Sequence, residues 1–149
     1  MLRASSPSAA TAGVHRVDLL TRQISCPDVD WTYGEPVEML ERLSSGDDDG
    51  DESGGGGAYI VRLPCGPRDQ YIPKEELWPH IPEFVDRALS HVTNVARALG
   101  EQLQPPPSDA PATALAAPVW PYVIHGHYAD AAEVAANLAS ALNVPMVMT

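Results

Sequence analysis

Residues 119–149, VWPYVIHGHYADAAEVAANLASALNVPMVMT, constrain the fold more than any other part of the chain. An aromatic and β-branched run, VWPYVI, leads into a polar turn, HGHYAD. An alanine-rich stretch from Ala131 to Leu142 follows, and a second apolar run, VPMVMT, comes last. Val134, Leu138 and Leu142 recur every four residues, which is helical spacing. Asn143 reads as the helix stop. Pro121 cannot donate to a sheet ladder, so the first strand lies at an edge or starts near Tyr122. Strand, turn, helix and strand make a βαβ unit, and such units build parallel sheets through right-handed crossovers. The expected fold class is α/β, with an open parallel sheet.

The preceding chain supplies two more expected strands and a long helix. Val14, Val17, Leu19 and Leu20 form a short apolar group without helical spacing, and AYIVRL from Ala58 is a compact β-branched run. Between them SCPDVDWTYGEPVEML is rich in turn residues, with Trp31 and Tyr33 expected to pin it to the domain. In KEELWPHIPEFVDRALSHVTNVARALGEQL, Ile81, Val85, Leu89, Val92, Ala96, Leu99 and Leu103 fall on one helical face. Pro79 and Pro82 fit its start, with Lys74–Trp78 a separate short turn before it. His80 and His91 are expected on this helix as surface or interfacial side chains.

Two stretches do not fit a core. Residues 44–57, SSGDDDGDESGGGG, combine like charges with glycines that are costly to order, and read as a flexible acidic loop. The alternative, a calcium loop, lacks EF-hand spacing. Residues 104–118, QPPPSDAPATALAAP, read as an extended, mobile Pro/Ala linker. Residues 1–13 read as a disordered tail; a transit peptide is the alternative. This leaves 14–149 as one domain, which 149 residues can support.

Charge and cysteine content exclude several classes. The net charge is −11, from 9 Lys and Arg against 20 Asp and Glu. That balance speaks against a nucleic-acid partner and against an anionic membrane surface. No apolar run reaches membrane-spanning length. The two cysteines, Cys26 and Cys65, form neither a disulfide framework nor a CxxC pair. A reducing, cytoplasmic setting is expected.

HGHYAD is the candidate site, because ligands of open parallel sheets gather beyond the carboxyl ends of strands. His125 and His127 alternate, so they project the same way from an extended backbone. As a metal site the motif is short of ligands, with no cysteine or further histidine cluster to complete it. Asp130 either caps the following helix or faces a ligand. A sugar phosphate would need a cation for its phosphate and polar groups for its hydroxyls. Lys74, Arg68 and Arg62 are the available cations; Tyr128 and His127 are the polar groups.

Several blocks together resemble plant sucrose-phosphate synthases: RVDLLTRQISCPDVDWTYGEPVEML, AYIVRLPCGPRDQYIPKEELWPHIPEFVDRALSHV, LGEQL and PVWPYVIHGHYADAAEVAANLASALNVPMVMT. The resemblance runs from about Val14 to Thr149, interrupted by the acidic loop and the proline linker. It implies part of the N-terminal, Rossmann-like acceptor domain of a retaining GT-B glycosyltransferase. It implies glucosyl transfer from UDP-glucose to fructose 6-phosphate, giving sucrose 6-phosphate and UDP, with no cofactor and no obligate metal. Carried over by motif, Lys74 before "EELW" would meet the acceptor phosphate, and Tyr128 of "HYAD" would contact the same acceptor. His127 and Asp130 would shape the site.

The departures bear on activity. The family's Gly-Gly-Gln element before Val14 has no counterpart in MLRASSPSAATAG. The reaction-centre histidine, further phosphate-binding cations and the nucleotide-sugar domain are expected beyond NVPMVMT, so no catalytic residue is assigned and the isolated chain is expected to be inactive. Gln70 stands where relatives often carry lysine. Two alternatives accompany this reading. One is a non-catalytic sugar-phosphate-binding or regulatory module that pairs with a full-length synthase through the VPMVMT edge. The other is a metal-dependent hydrolase built on HGHYAD.

Overall fold

The computed structural model describes residues 14–42 and 56–149. The expected tail at 1–13 and nearly all of the acidic loop, with its calcium alternative, lie outside the described residues. Among the described residues are five strands and two α-helices: β1 (Arg16–Arg22), β2 (Val37–Arg42), β3 (Gly57–Leu63), α1 (Ile81–Leu103), β4 (Ile124–Gly126), α2 (Tyr128–Leu142) and β5 (Met146–Met148). One-turn 3-10 helices occupy Trp31–Gly34, Lys74–Glu76 and Trp78–His80. The class is mixed α/β.

The single parallel sheet expected from the sequence is replaced by two sheets. One has the order β1-β3-β2, and the other is β4-β5. β1 runs parallel to β3, with Leu20 beside Val61 and Arg22 beside Leu63. β2 runs antiparallel to β3, so this sheet is mixed. Antiparallel neighbours need no crossover element, and no helix or strand separates β2 from β3 in the described chain. β2 begins within the stretch read as turns and runs two residues past it. Its register shifts between Met39 and Glu41, so Leu40 has no partner in the β3 ladder, and the consecutive apolar Met39 and Leu40 hide the period-two alternation that marks a strand. Gly57, placed in the acidic loop by the sequence, opens β3; a Cβ there would lie 2.8 Å from the Glu41 carbonyl oxygen.

β4 and β5 pair in parallel around α2, which gives the expected βαβ unit. β4 is shorter and later than VWPYVI suggested. The Val119 N–H donates to the Ala96 carbonyl at 2.8 Å, tying this segment to α1 instead of a sheet. The end of the proline linker is likewise docked: a Cβ on Gly100 would fall 2.1 Å from the Ala117 carbonyl oxygen. α2 ends as expected at Asn143, whose left-handed φ of 54° closes the helix.

The core forms between β3, α1 and α2. Val61, Leu63, Ala88 and Leu138 are buried together, with Leu20, Tyr59, Phe84, Val85, Leu89, Ile124 and Val134 packed around them. Ala88 is 0% exposed and lets the elements approach closely, although it lay outside the expected row of large apolar residues. Leu103, at the end of that row, is 40% exposed. Of the four apolar residues expected in the first strand, only Leu20 joins the core. Val17 and Leu19 are exposed because strand alternation turns Asp18 and Leu20 towards α1, and Val14 is exposed ahead of β1. His80 sits in the 3-10 turn at the N-cap of α1, not within the helix.

Candidate functional site

The loop from residue 64 to Pro73 carries the chain from the end of β3 to Lys74, and Arg22 organises it. The Arg22 Nε donates to the Cys65 carbonyl at 3.0 Å, while its Nη2 donates to the Pro67 carbonyl and to the Gln70 carbonyl at 3.3 Å. The Ser25 N–H adds a 2.7 Å bond to the Arg68 carbonyl. Gly66 turns this loop with φ 59°, where a Cβ would meet the His80 ring at 2.9 Å. Its N–H donates to Glu83 Oε2 at 2.9 Å, fastening the loop to the first turn of α1. Burial pushes the Cys65 thiol above its ordinary value; Glu83 adds to this and the Arg22 charge opposes it.

Tyr128 arrives from the other side, at the junction of β4 and α2. His127 is the helix N-cap, with extended backbone and no side-chain cap bond. Asp130 therefore does not cap α2. It lies in the first turn, where a carboxylate suits the positive end of the helix dipole. The helix begins three residues earlier than Ala131, and Tyr128 itself has φ 64°. For a bulky residue this left-handed backbone costs on the order of 1–3 kcal/mol and persists only where the surroundings hold it. Gly126 makes the close turn feasible, since a Cβ there would come within 2.7 Å of the Ala131 carbonyl oxygen.

The two arms meet. Lys74 Nζ lies 5.3 Å from the centroid of the Tyr128 ring, a cation–π distance. Both residues stand beyond the carboxyl ends of strands, Lys74 after β3 and Tyr128 after β4. Tyr128 is 76% exposed and Lys74 is also exposed, so the pair forms an open surface. The ammonium has three donors and the phenol one, which together suit a phosphate and a neighbouring hydroxyl. Glu75 and Glu76 follow Lys74 in the same turn and lower the local positive potential.

His125 and His127 do project together, with ring centroids 4.1 Å apart and a 34° tilt. Both reach the Thr149 hydroxyl: His125 Nε2 at 3.1 Å and His127 Nδ1 at 3.1 Å. Among the described residues, no group of three or more His, Cys, Asp or Glu side chains could hold a metal ion. The metal-dependent hydrolase reading therefore has no ligand set there.

Two candidate cations part company with the site. Arg62 is 6% exposed and committed to Glu38, at 2.6 Å, with a further bond to the Glu35 carbonyl at 3.3 Å. Arg68 is exposed and contributes a backbone carbonyl to the loop. Of the two expected aromatic pins, Tyr33 has the Arg62 guanidinium 5.9 Å from its ring centroid, whereas Trp31 differs from expectation. Trp31 is 75% exposed, and its segment is held by backbone bonds, with Ile24 N–H donating to the Tyr33 carbonyl at 3.0 Å. Arg22 and Thr149 were not among the expected site residues. No local pattern marks Arg22; Thr149 is reachable only through the β4–β5 register.

Similarity to known proteins bears on this arrangement. The chain is 81% identical over 143 residues to probable sucrose-phosphate synthase 5 of Oryza sativa subsp. japonica, a match covering 95% of the chain and 14% of that protein. It is 62% identical over 141 residues to sucrose-phosphate synthase 4 of Arabidopsis thaliana and 60% identical over 138 residues to sucrose-phosphate synthase of Zea mays. Those matches cover 95% and 92% of the chain, and 12% of each relative. The resemblance drawn from the sequence motifs is borne out at this identity. The chain spans 12–14% of the length of these relatives. No protein-family model matches it.

Proposed function

We propose that this chain is an acceptor-side segment of a sucrose-phosphate synthase, a cytoplasmic glycosyltransferase of the two-Rossmann-domain, GT-B type. The whole enzyme transfers glucose from UDP-glucose to fructose 6-phosphate, giving sucrose 6-phosphate and UDP. In this reading Lys74 meets the acceptor phosphate and Tyr128 contacts the same molecule, with His127 and Asp130 shaping the surface. UDP-glucose is held by another part of the enzyme, no metal or cofactor takes part, and the chain alone does not turn over. Transfer needs donor and acceptor held in one geometry, and an acceptor surface alone supplies half of that.

The observation that carries the reading is the approach of Lys74 Nζ to the Tyr128 ring, 5.3 Å from its centroid. The two residues that the family motifs single out, far apart in sequence, meet beyond the carboxyl ends of two strands. No described helix is long and apolar enough to cross a membrane. The test is thermal unfolding with and without fructose 6-phosphate. Ligand binding raises apparent stability by mass action. The expected outcome is a cooperative transition raised by the ligand in the wild-type chain and unmoved by it in Lys74→Ala. An equal rise in both would remove Lys74 from the site.

A second reading, a module that pairs with a full-length synthase, draws support from β5. Among the described strands β5 has β4 as its sole neighbour, and Met146, Val147 and Met148 are exposed. An open edge of this kind can accept another strand. Co-purification of the chain with a full-length synthase, lost on Val147→Pro, is the expected result.

A further inference from the structure

Tyr128 needs a restraint, because its backbone occupies a conformation that a bulky residue leaves when free to do so. Thr149, directly after β5, touches the 125–128 segment four times. Its carbonyl accepts from the Tyr128 N–H at 3.0 Å, and its own N–H donates to the Gly126 carbonyl at 3.2 Å. Its hydroxyl lies 3.1 Å from His125 Nε2 and 3.1 Å from His127 Nδ1. The backbone contacts continue the parallel ladder of β4 and β5. The side-chain contacts are specific to threonine or serine, since valine of the same shape has no hydroxyl.

We propose that Thr149 is a positioning residue for Tyr128. Its hydroxyl bridges the two imidazoles, and its backbone closes the left-handed turn that sets the Tyr128 ring against the Lys74 ammonium. As a role in acceptor binding this rests on the acceptor-site reading above; as a brace on Tyr128 it stands on geometry alone.

The bridge limits proton positions. A hydroxyl carries one proton and two acceptor lone pairs, so it can accept from both ring nitrogens, or donate to one and accept from the other, but it cannot donate to both. At least one of His125 Nε2 and His127 Nδ1 therefore carries a hydrogen. His125 as the Nδ1–H tautomer together with His127 as the Nε2–H tautomer is the one neutral pair the bridge forbids. Thr149→Val removes the bridge with little change of shape; Thr149→Ser restores it.

The experiment is long-range proton–nitrogen NMR of the imidazoles in the 15N-labelled chain, near pH 8, for wild type, Thr149→Val and Thr149→Ser. Each sample is then titrated with fructose 6-phosphate. The expected result in wild type and Thr149→Ser is a hydrogen on at least one of His125 Nε2 and His127 Nδ1. In Thr149→Val the imidazole nitrogen shifts and the Tyr128 amide shift should move. Fructose 6-phosphate affinity should fall about three- to tenfold in Thr149→Val, the worth of one hydrogen bond, and recover in Thr149→Ser. His125 as the Nδ1–H tautomer with His127 as the Nε2–H tautomer in wild type, which leaves both facing nitrogens bare, would overturn the bridge. So would spectra of His125, His127 and Tyr128 that ignore Thr149→Val. If the spectra respond as expected but wild type binds no fructose 6-phosphate, the brace stands and the acceptor reading falls.

Discussion

Gly100 separates propensity from packing at a single residue. An alanine there gains about 1 kcal/mol of helix propensity over glycine. Its Cβ, however, would sit 2.1 Å from the Ala117 carbonyl oxygen and 3.1 Å from Pro118 Cα, both backbone atoms. The linker end must move away, breaking the 2.8 Å bond from the Val119 N–H to the Ala96 carbonyl. Gly100→Ala is expected to destabilise by about 1–3 kcal/mol, the usual cost of overpacking, and to lower the melting temperature in a thermal scan. A raised melting temperature would mean that the linker does not dock on α1. The glycine was visible in the sequence, but its reason was not. A lone glycine in a helical pattern reads as a weak point until the segment that crosses it is placed.

Two polar contacts between elements respond to substitution or pH. Asp18 on β1 accepts from Arg16 Nε at 2.8 Å and contacts His91 Nε2 on α1 at 2.8 Å, while the Arg16 guanidinium lies 4.3 Å from the centroid of the Tyr59 ring on β3. Burial pushes the Asp18 carboxyl up, but the His91 and Arg16 hydrogen bonds and charges outweigh it and hold it below the ordinary value of 3.8. A depressed carboxyl contributes stability that is full above its unfolded value and is lost as pH falls through its lower folded value. Acid unfolding followed by circular dichroism should therefore show stability lost below pH 3.8 in the wild type, with a shallower loss in Asp18→Asn. At the other side of the same sheet, Arg62 on β3 is buried against Glu38 on β2. Glu38→Ala leaves that guanidinium without its carboxylate and should cost about 1–3 kcal/mol in urea unfolding. Arg62→Met should cost less, since it removes the buried charge as well. Neither partner pair was legible beforehand: His91 and Asp18 lie on different elements, and β2 was hidden by its bulge.

Over the whole molecule the two cysteines report on folding. Both are free thiols, Cys26 half-buried and Cys65 buried with its thiol pushed up. Thiolate is the reactive form, so both burial and the raised value slow alkylation of Cys65. Under native conditions, iodoacetamide should label Cys26 first. Labelling of Cys65 should rise with denaturant along the same curve as loss of helix signal, because Cys65 lies in the loop that Arg22 and Glu83 fasten to β1 and α1. Rapid native labelling of Cys65 would mean that this loop, and with it Lys74, is not held.

Local sequence was enough for the βαβ unit, the long helix with its proline-marked start, the strands β1 and β3, and the family motifs that single out Lys74 and Tyr128. These follow from local periodicity, turn chemistry and motif identity, which require no knowledge of neighbours. Tertiary structure decided the rest. It split the expected sheet in two and set β2 antiparallel. It withdrew Arg62 into a buried ion pair and brought Lys74 over Tyr128. It also placed Thr149 between two histidines. Each of these depends on which strands pair and in what register, and pairing is an interaction between distant segments that no local pattern encodes.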